Sequence, residues 1–281
     1  MGLRCARLLK TGARLFALTS SPERIPELTS CGITPLPGNL DQPGSLARLA
    51  GVAQHVVHMA PPPSHGDTDS RTQALVQALA KRSPPSSLVY GSTSGVYGDC
   101  QDAWIDETRL VNPQTARAIR RVDAESWLSA WGARGHPRVQ VLRIPGIYAL
   151  DREGGTPRQR LTQGTPLLHA IEDVFTNHVH ADDLAQATVL AMWRGKGLRP
   201  LHVCDDSELR MADYMDLAAD LFGLPRPPRI SRAQAQQQLT AMTLSFMSES
   251  RRLRNHRIKH ELRLRLRYPT VREGLLGTPV G

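Results

Sequence analysis

The sequence predicts an α/β fold in which helices cover both faces of a parallel sheet. Over the first two thirds of the chain, short runs rich in Val, Ile and Leu alternate with longer helical stretches. Strands that are almost continuously apolar are buried on both faces, and their alternation with helices indicates parallel pairing. In such doubly wound folds, ligands bind outside the carboxyl ends of the strands.

The elements of this sheet are predicted in chain order. Each apolar run is followed by Ser, Thr, Gly or Pro, and the predicted strands are residues 14–19, 55–59, 87–91 and 139–144. The stretches predicted as helices are residues 2–10, 22–30, 68–82 and 112–134. The loops that begin at Thr19, Ala60, Gly91 and Pro145 should therefore line one crevice.

After about residue 145 the alternation is less regular. Residues 181–194 are apolar on most faces, which predicts a buried helix. A second helix is predicted over residues 211–222, ended by Gly223 and Pro225. Near the C-terminus, LRLRLR at residues 262–267 alternates with a period of two, which predicts a half-exposed strand.

Length and composition restrict the class of protein. A chain of 281 residues is long for one small domain, and 40% hydrophobic with 22% charged residues is typical of globular proteins. The net charge of +9 suits a polyanionic or phosphorylated partner. The four cysteines are scattered without a C-x-x-C pair, and no apolar stretch approaches the ~20 residues that cross a bilayer. We therefore expect a reduced, cytoplasmic protein that does not bind membranes.

Four segments in order carry a family resemblance. They are YGSTSGVYGD at residues 90–99, RIPGIY at 143–148, NHVHADDLA at 177–185 and YPTVREGL at 268–275. Together they resemble the extended, atypical short-chain dehydrogenase/reductases, the family of NAD-dependent epimerases and dehydratases. The resemblance implies a Rossmann-type domain over residues 1–150 that binds NAD(H) or NADP(H). It also implies a smaller, mainly substrate-binding region over 151–281, with sheet elements recurring near 175–205.

The start of the chain departs from the family pattern. A dinucleotide fold opens with a strand and a Gly-rich turn, whereas this chain opens directly on the predicted helix that begins at Gly2. Gly2 matches the last glycine of the family fingerprint. The first strand and the start of the Gly-rich loop are therefore expected to be missing, through a misplaced gene start or a real truncation.

A second departure concerns catalysis. The family carries Tyr-x-x-x-Lys on the helix that follows the V-Y-G segment, and counting back from Glu125 those two places hold Arg117 and Arg121. A guanidinium stays protonated, so neither arginine can be a general acid or base near neutral pH. Arg121 is predicted to hold the cofactor ribose, and Arg117 to bind a phosphate or carboxylate. Thr93 matches the remaining hydroxyl of the family triad.

The other site predictions also follow from the resemblance. NADP is preferred over NAD because hydroxyls and a positive charge stand where an acidic residue would bind the ribose of NAD. The residues predicted to contact the cofactor, besides Arg121, are Gly2, Thr19, Ser20, Arg24, Asn39, Leu40, Met59, Ala60, Pro61, Pro145 and Ile147. The residues predicted to contact the substrate are Tyr97, Tyr148, Asn177 and His180. No metal site is predicted, although His178 and His180 have ligand-like spacing.

Three functions remain open at this point. The first is an NAD(P)-dependent oxidoreductase or epimerase-like enzyme for a carbonyl or alcohol, with a nucleotide sugar among the candidate substrates and an anionic small molecule suited to the arginines. The second is a catalytically silent NADP(H)-binding sensor or scaffold. The third is a basic RNA-associated relative, disfavoured because residues 251–267 lack interleaved aromatics. A homodimer is compatible with each of them.

Overall fold

The computed structural model describes residues 1–9, 12–135 and 137–279. Helices and strands alternate through the first half of the chain, separated by three 3₁₀ segments at Pro22–Arg24, Pro43–Leu49 and Ser94–Tyr97. The elements of this half are α1 Gly2–Leu9, β1 Leu15–Thr19, α2 Ile25–Ser30, β2 Ile33–Pro37, β3 His55–His58, α3 Ser70–Leu79, β4 Ser87–Thr93, β5 Trp104–Ile105, α4 Ala116–Gly132, β6 Arg138–Ile144 and β7 Gly146–Tyr148.

The second half consists of shorter elements apart from α6 and α7. They are α5 Arg158–Thr162, β8 Leu167–Leu168, β9 Phe175–Thr176, β10 His178–His180, α6 Ala181–Arg194, β11 Arg199–His202, β12 Leu209–Arg210, α7 Met211–Phe222, β13 Arg229–Ile230, α8 Arg232–Gln238, α9 Ala241–Phe246, β14 Arg252–Leu253, α10 His256–His260 and α11 Val271–Leu276. Among the described residues, none of the helices is both long and apolar enough to cross a bilayer.

The main sheet is parallel, with the strand order β11-β6-β4-β3. β4 lies at its centre, and Leu88, Val89 and Tyr90 are fully buried there because helices cover both faces. The α/β prediction with a doubly wound parallel sheet is therefore confirmed.

A second parallel pair, β1 with β2, shares no ladder with the main sheet among the described residues. Every residue of β1 is only half-buried. The missing first strand stays a prediction, because nothing described here tests it.

Several predicted boundaries shift for local reasons. α4 begins at Ala116 rather than near Asn112, because the Thr115 side chain accepts a hydrogen bond from the Ala118 amide and caps the helix. β2 was not predicted, since Pro35 and Pro37 interrupt its apolar pattern. Lys10, the last residue of the first predicted helix, lies outside the described residues.

The segment LRLRLR is not a strand, although its alternation is real. Leu262 and Leu264 are buried and the arginines between and after them are exposed. Arg263 has a φ of 52°, in the left-handed region, so the backbone turns there and cannot continue a ladder. The leucines pack instead against the core formed with α6 and the main sheet.

Candidate functional site

The carboxyl ends of the central strands bring the predicted loops together. β3 leads into Met59 and Ala60, and β4 ends at Thr93, beside the end of β6 at Ile144. Parallel strands place these ends on one edge of the sheet. Gly91 permits close packing at this edge, because a Cβ on it would collide with the sulfur of Met59.

Arg121 of α4 joins the ends of β3 and β4. Its Nη1 donates to the carbonyl of Gly91 at 2.7 Å and to the Tyr90 hydroxyl at 2.9 Å, and it lies 3.5 Å from the Ala60 carbonyl. Within the described chain, Nε and Nη2 of Arg121 make no hydrogen bond. The side chain is therefore held in place at the crevice with two nitrogens available for a ligand.

Thr93 has a hydroxyl hydrogen available at the same edge. Its Oγ1 accepts a hydrogen bond from the Gly95 amide at 3.2 Å, which caps the 3₁₀ turn that follows β4. A hydroxyl that accepts in this way can still donate its own hydrogen. Thr93 can therefore donate to a substrate oxygen.

Arg117 lies one helical turn before Arg121, on the same face of α4. It is exposed, and its guanidinium carbon lies 5.0 Å from the centre of the Phe246 ring. No carboxylate among the described residues forms an ion pair with it. The place that holds tyrosine in the resembling family is thus occupied by an unneutralised positive charge.

A buried polar network lies beneath these side chains. Ser92 donates to Glu125 at 2.5 Å, and Glu125 pairs with Arg143 at 2.7 Å. Nη1 of Arg143 donates to the Tyr97 hydroxyl, and Nε2 of His202 lies 2.6 Å from that same oxygen. The network fixes the geometry of the ends of β4 and β6.

The protons in this network can be assigned from its acceptors. Nδ1 of His202 lies 3.0 Å from the carbonyl of Arg254, which can only accept, so Nδ1 carries a hydrogen. Burial lowers the pKa of His202 to about 3, so the ring is neutral and Nε2 accepts. Tyr97 therefore donates its only hydrogen to His202.

Comparison with known proteins identifies the family. A model of the NAD dependent epimerase/dehydratase family matches residues 4–203. The chain belongs to this family. The solved structure of a functionally unknown conserved protein from Silicibacter pomeroyi DSS is 32% identical, with 99% of this chain and 93% of that chain covered and a TM-score of 0.80. Among curated proteins, none matches the chain.

More distant solved structures of named enzymes share the fold. UDP-glucose 4-epimerase from Thermotoga maritima is 15% identical, with 98% and 92% of the two chains covered and a TM-score of 0.79. UDP-glucuronic acid 4-epimerase from Bacillus cereus, in complex with UDP-glucuronic acid and NAD, is 17% identical, with 98% and 93% covered and a TM-score of 0.74. At these identities the likeness shows the fold of the family alone.

Tyr97 and Tyr148, both predicted to contact substrate, are buried side chains. Tyr97 is 1% exposed and its hydroxyl is used by Arg143 and His202, while burial raises its pKa to about 12. Tyr148 is 2% exposed, and its hydroxyl donates toward the carbonyl of Thr270 at 3.2 Å. Both hydroxyls are hydrogen-bonded within the protein, and contact of either tyrosine with substrate stays a prediction.

Asn177 and His180, also predicted to contact substrate, are likewise hydrogen-bonded within the protein, and their contact with substrate stays a prediction. The amide of Asn177 donates to the carbonyl of Arg251 and accepts from the Leu253 amide, both at 2.9 Å. His180 is 5% exposed, and its Nδ1 accepts from the Asp182 amide at the start of α6. Asn177 thus bonds to the C-terminal part through its side chain, and the His180 ring centre lies 3.8 Å from the ring centre of Tyr268 in the same part. Around them and elsewhere in the described residues, no cluster of His, Cys, Asp and Glu is arranged to hold a metal.

The predicted cofactor residues near β1 are mostly at its carboxyl end. Thr19 bonds through its hydroxyl to the backbone of Ser21, and Ser20 is exposed. Arg24 is turned toward Glu27, at 3.1 Å. Gly2 begins α1, where a Cβ would meet no atom within 4 Å. Their contact with a cofactor stays a prediction.

The other predicted cofactor residues lie on the loops after β2, β3 and β6. The Asn39 side chain accepts from the Asp41 amide, and Leu40 packs toward α3. The Pro61 carbonyl accepts from Arg71 at 3.0 Å. Pro145 lies between β6 and β7, and Ile147 is the middle residue of β7.

Two open surface hollows lie apart from the strand ends. One of about 480 Å³ adjoins α5 and is lined by Arg158 and Gln159 among others. The other, of about 540 Å³, lies where Asp102 pairs with Arg210 at 3.1 Å. Neither contains a residue of the predicted site.

Three features of the site were missed in the sequence. The position of Glu125 near the site had a signal, because Glu125 follows Arg121 by four residues and so shares its helical face, whereas its pairing with Arg143 had none. His202 and Phe246 had none, since only the tertiary fold brings β11 and α9 to this region.

Proposed function

We propose that this protein binds a nicotinamide dinucleotide and exchanges a hydride with the carbonyl or alcohol of an anionic small molecule. The observation that carries the proposal is Arg121, fixed across the ends of β3 and β4 with two unused guanidinium nitrogens. Strand ends of this kind are where doubly wound folds bind ligands. The NAD complex of the Bacillus cereus relative supports the same class of cofactor. A nucleotide sugar is one candidate substrate.

The residues at the crevice fit such a cofactor. Arg121 would hold the ribose or a phosphate, and the exposed backbone after β3 would allow close approach at Ala60 and Pro61. When bound, the nicotinamide ring supplies or accepts the hydride. Preference for NADP rests on Thr19, Ser20 and Arg24, where Arg24 must leave Glu27 to meet an additional phosphate.

The protein's own groups polarise and orient the substrate. Thr93 donates a hydrogen bond to the reacting oxygen, and Arg117 supplies positive charge beside it. Because Arg117 cannot give up a proton near neutral pH, proton transfer has to involve solvent or the substrate itself. We therefore expect slow turnover.

One observation favours a second function, that of a silent cofactor-binding sensor. Tyr97, Tyr148 and His180, the three side chains considered as substitutes for the missing proton donor, are buried and hydrogen-bonded within the protein. A protein that retained only the binding half of the site would have this arrangement.

Calorimetry with NADPH, NADP, NADH and NAD tests the binding step. Replacing Arg121 by Gln should weaken binding by about tenfold or more, the effect of losing a charge-assisted hydrogen bond. Arg134→Gln, an exposed position just after α4, is the matched control and should bind normally. Absence of heat with all four nucleotides would overturn the proposal.

Single-turnover oxidation of NADPH with a panel of anionic carbonyl compounds separates the two functions. Oxidation by any compound supports the enzyme. Cofactor binding without oxidation by the whole panel supports the sensor. The double variant Arg117→Tyr, Arg121→Lys should then be no faster than the natural protein if the arginines serve the reaction, and a large gain would contradict their role.

A further inference from the structure

The short helix α9 holds two large apolar side chains in solvent. Met242 is 70% exposed and Phe246, one turn later, is 47% exposed. The helix is nevertheless anchored, because Met247 at its end is 1% exposed and accepts a hydrogen bond from Arg232 at 3.1 Å. Leu244 on the opposite side packs against the core around α7. The exposure of Met242 and Phe246 is thus imposed by the fold.

Phe246 meets the sheet-bearing part of the protein at one residue of the candidate site. Its ring lies 5.0 Å from the guanidinium carbon of Arg117. Arg117 is next to Ala118, whose Cβ lies 3.9 Å from the position of a Cβ built on Gly95, two residues after Thr93. The ring therefore lies against a residue of the candidate site, one position before the residue that packs near Gly95.

The positive charge of Arg117 has no anionic partner among the described residues. An aromatic ring covers one face of a guanidinium and leaves its N–H edge free for a carboxylate or phosphate. As no acidic side chain of the described chain neutralises Arg117, an anion can bind there without displacing an ion pair. The exposed Phe246 ring beside Arg117, and the Met242 thioether one helical turn before that ring, offer an apolar surface to the organic group that bears the anion.

We propose that Arg117, Phe246 and Met242 form one composite subsite for an organic anion. Arg117 binds the phosphate or carboxylate, and Phe246 and Met242 contact an apolar or aromatic body attached to it. The inference rests on the proposed function, because it defines the substrate class of the same site. It makes α9 the element that sets specificity.

The test uses three probes and the full chain. Phenyl phosphate, inorganic phosphate and benzyl alcohol are titrated into the protein with and without saturating nucleotide, and Kd is measured by calorimetry. Phenyl phosphate should bind about tenfold more tightly than inorganic phosphate, and benzyl alcohol should be the weakest. Equal affinities for the two phosphates would overturn the proposal.

Variants separate the two parts of the subsite. Phe246→Ala should reduce the preference for phenyl phosphate to about twofold or less, and Phe246→Tyr should restore it because it keeps the ring. Met242→Ala should reduce the preference partly. Arg117→Gln should weaken binding of both phosphates by about tenfold. An unchanged preference in Phe246→Ala would also contradict the proposal.

Two controls make the result specific. Leu276→Ala removes an apolar side chain of similar exposure, 49%, from α11 and should leave all three affinities unchanged. Nucleotide binding is measured on each variant in parallel. If the natural protein binds nucleotide but does not prefer phenyl phosphate, only the subsite proposal is overturned. If the natural protein binds no nucleotide, the proposed function is overturned.

Discussion

Two arginines, Arg117 and Arg121, stand where the family has a tyrosine and a lysine, and their chemistry differs from that of the pair they replace. Lysine and tyrosine in the family can both hold and exchange protons, whereas guanidinium groups hold charge and shape only. The Arg121 side chain is held in place, because its Nη1 donates to the Gly91 carbonyl. Arg117 is held by Phe246, a partner that leaves its charge unneutralised. Both positions therefore carry charge, and neither side chain can transfer a proton near neutral pH.

At the same scale, His178 is a buried ring with an unsatisfied nitrogen. It stacks on Tyr214 with ring centres 4.1 Å apart, its Nδ1 has no partner among the described residues, and burial lowers its pKa to about 4. Between about pH 6.5 and 4 the unfolded chain binds a proton at this residue and the folded chain does not. The free energy of unfolding is therefore lost as the pH falls through that window.

Replacing His178 by Phe should remove this loss and keep the stacking on Tyr214. The stability advantage of the variant should grow by about 2 kcal/mol between pH 7 and pH 5, as urea unfolding at the two pH values would measure. His178→Leu should show the same pH dependence from a lower starting stability, because it also lacks the proton site. If the difference in stability between the variant and the natural protein did not change with pH, His178 could not be the cause of the loss.

Among the elements, α6 fixes the C-terminal segment through its first turn. Asp183 is 0% exposed, and its two oxygens accept from the Arg267 and Tyr268 amides at 2.7 and 3.0 Å. Its neighbour Asp182 is partly exposed and pairs with Arg4 of α1. The buried Asp183 carboxylate thus binds backbone amides, whereas the adjacent Asp182 carboxylate forms an ion pair nearer the surface.

Asp183→Ala should lower the free energy of unfolding by about 2–4 kcal/mol, because it leaves buried amides without an acceptor. Asp182→Ala is the matched control and should cost under about 1 kcal/mol, as surface ion pairs do. Chemical denaturation of both variants at pH 7 measures the two values. Equal losses would show that the Arg267 and Tyr268 amides find other acceptors.

The elements also show which parts of the fold and of the candidate site the sequence pattern could predict. Strands such as β4 and β6 were predicted because continuous burial requires continuous apolar residues. β2 was missed because its two prolines are typical of a loop. Residues 262–267 were predicted as a strand because their alternation indicates which side chains are buried, but it does not indicate whether the backbone pairs with another strand. Arg121 could be placed by counting along a helix. Phe246 could not, since its neighbour Arg117 lies 129 positions earlier in the chain.

For the molecule as a whole, the four-stranded main sheet and the β1–β2 pair should differ in local stability. β4 is paired on both sides and buried along nearly all its length, whereas β1 has one ladder and half-buried residues. Local opening costs least where few buried contacts are lost.

Hydrogen exchange should therefore be at least about a hundredfold slower in β4 and β6 than in β1 and β2, after correction for intrinsic rates. Mass spectrometry of peptides from the two sheets measures this difference. Nucleotide binding should slow exchange at the carboxyl ends of the strands. Uniform protection across both sheets would contradict the expected hierarchy.

The C-terminal strand β14 has a consequence for the order of folding. It pairs with β5, and Arg252 donates to the carbonyl of Asp102, 150 positions earlier. A ribosome adding about 10 residues per second needs about 15 s to make that stretch. In the later part of this interval the nascent chain has Asn177 without its backbone partners at Arg251 and Leu253, and then His202 without the Arg254 carbonyl. These buried bonds can therefore form only after residues 251–254 have been synthesised.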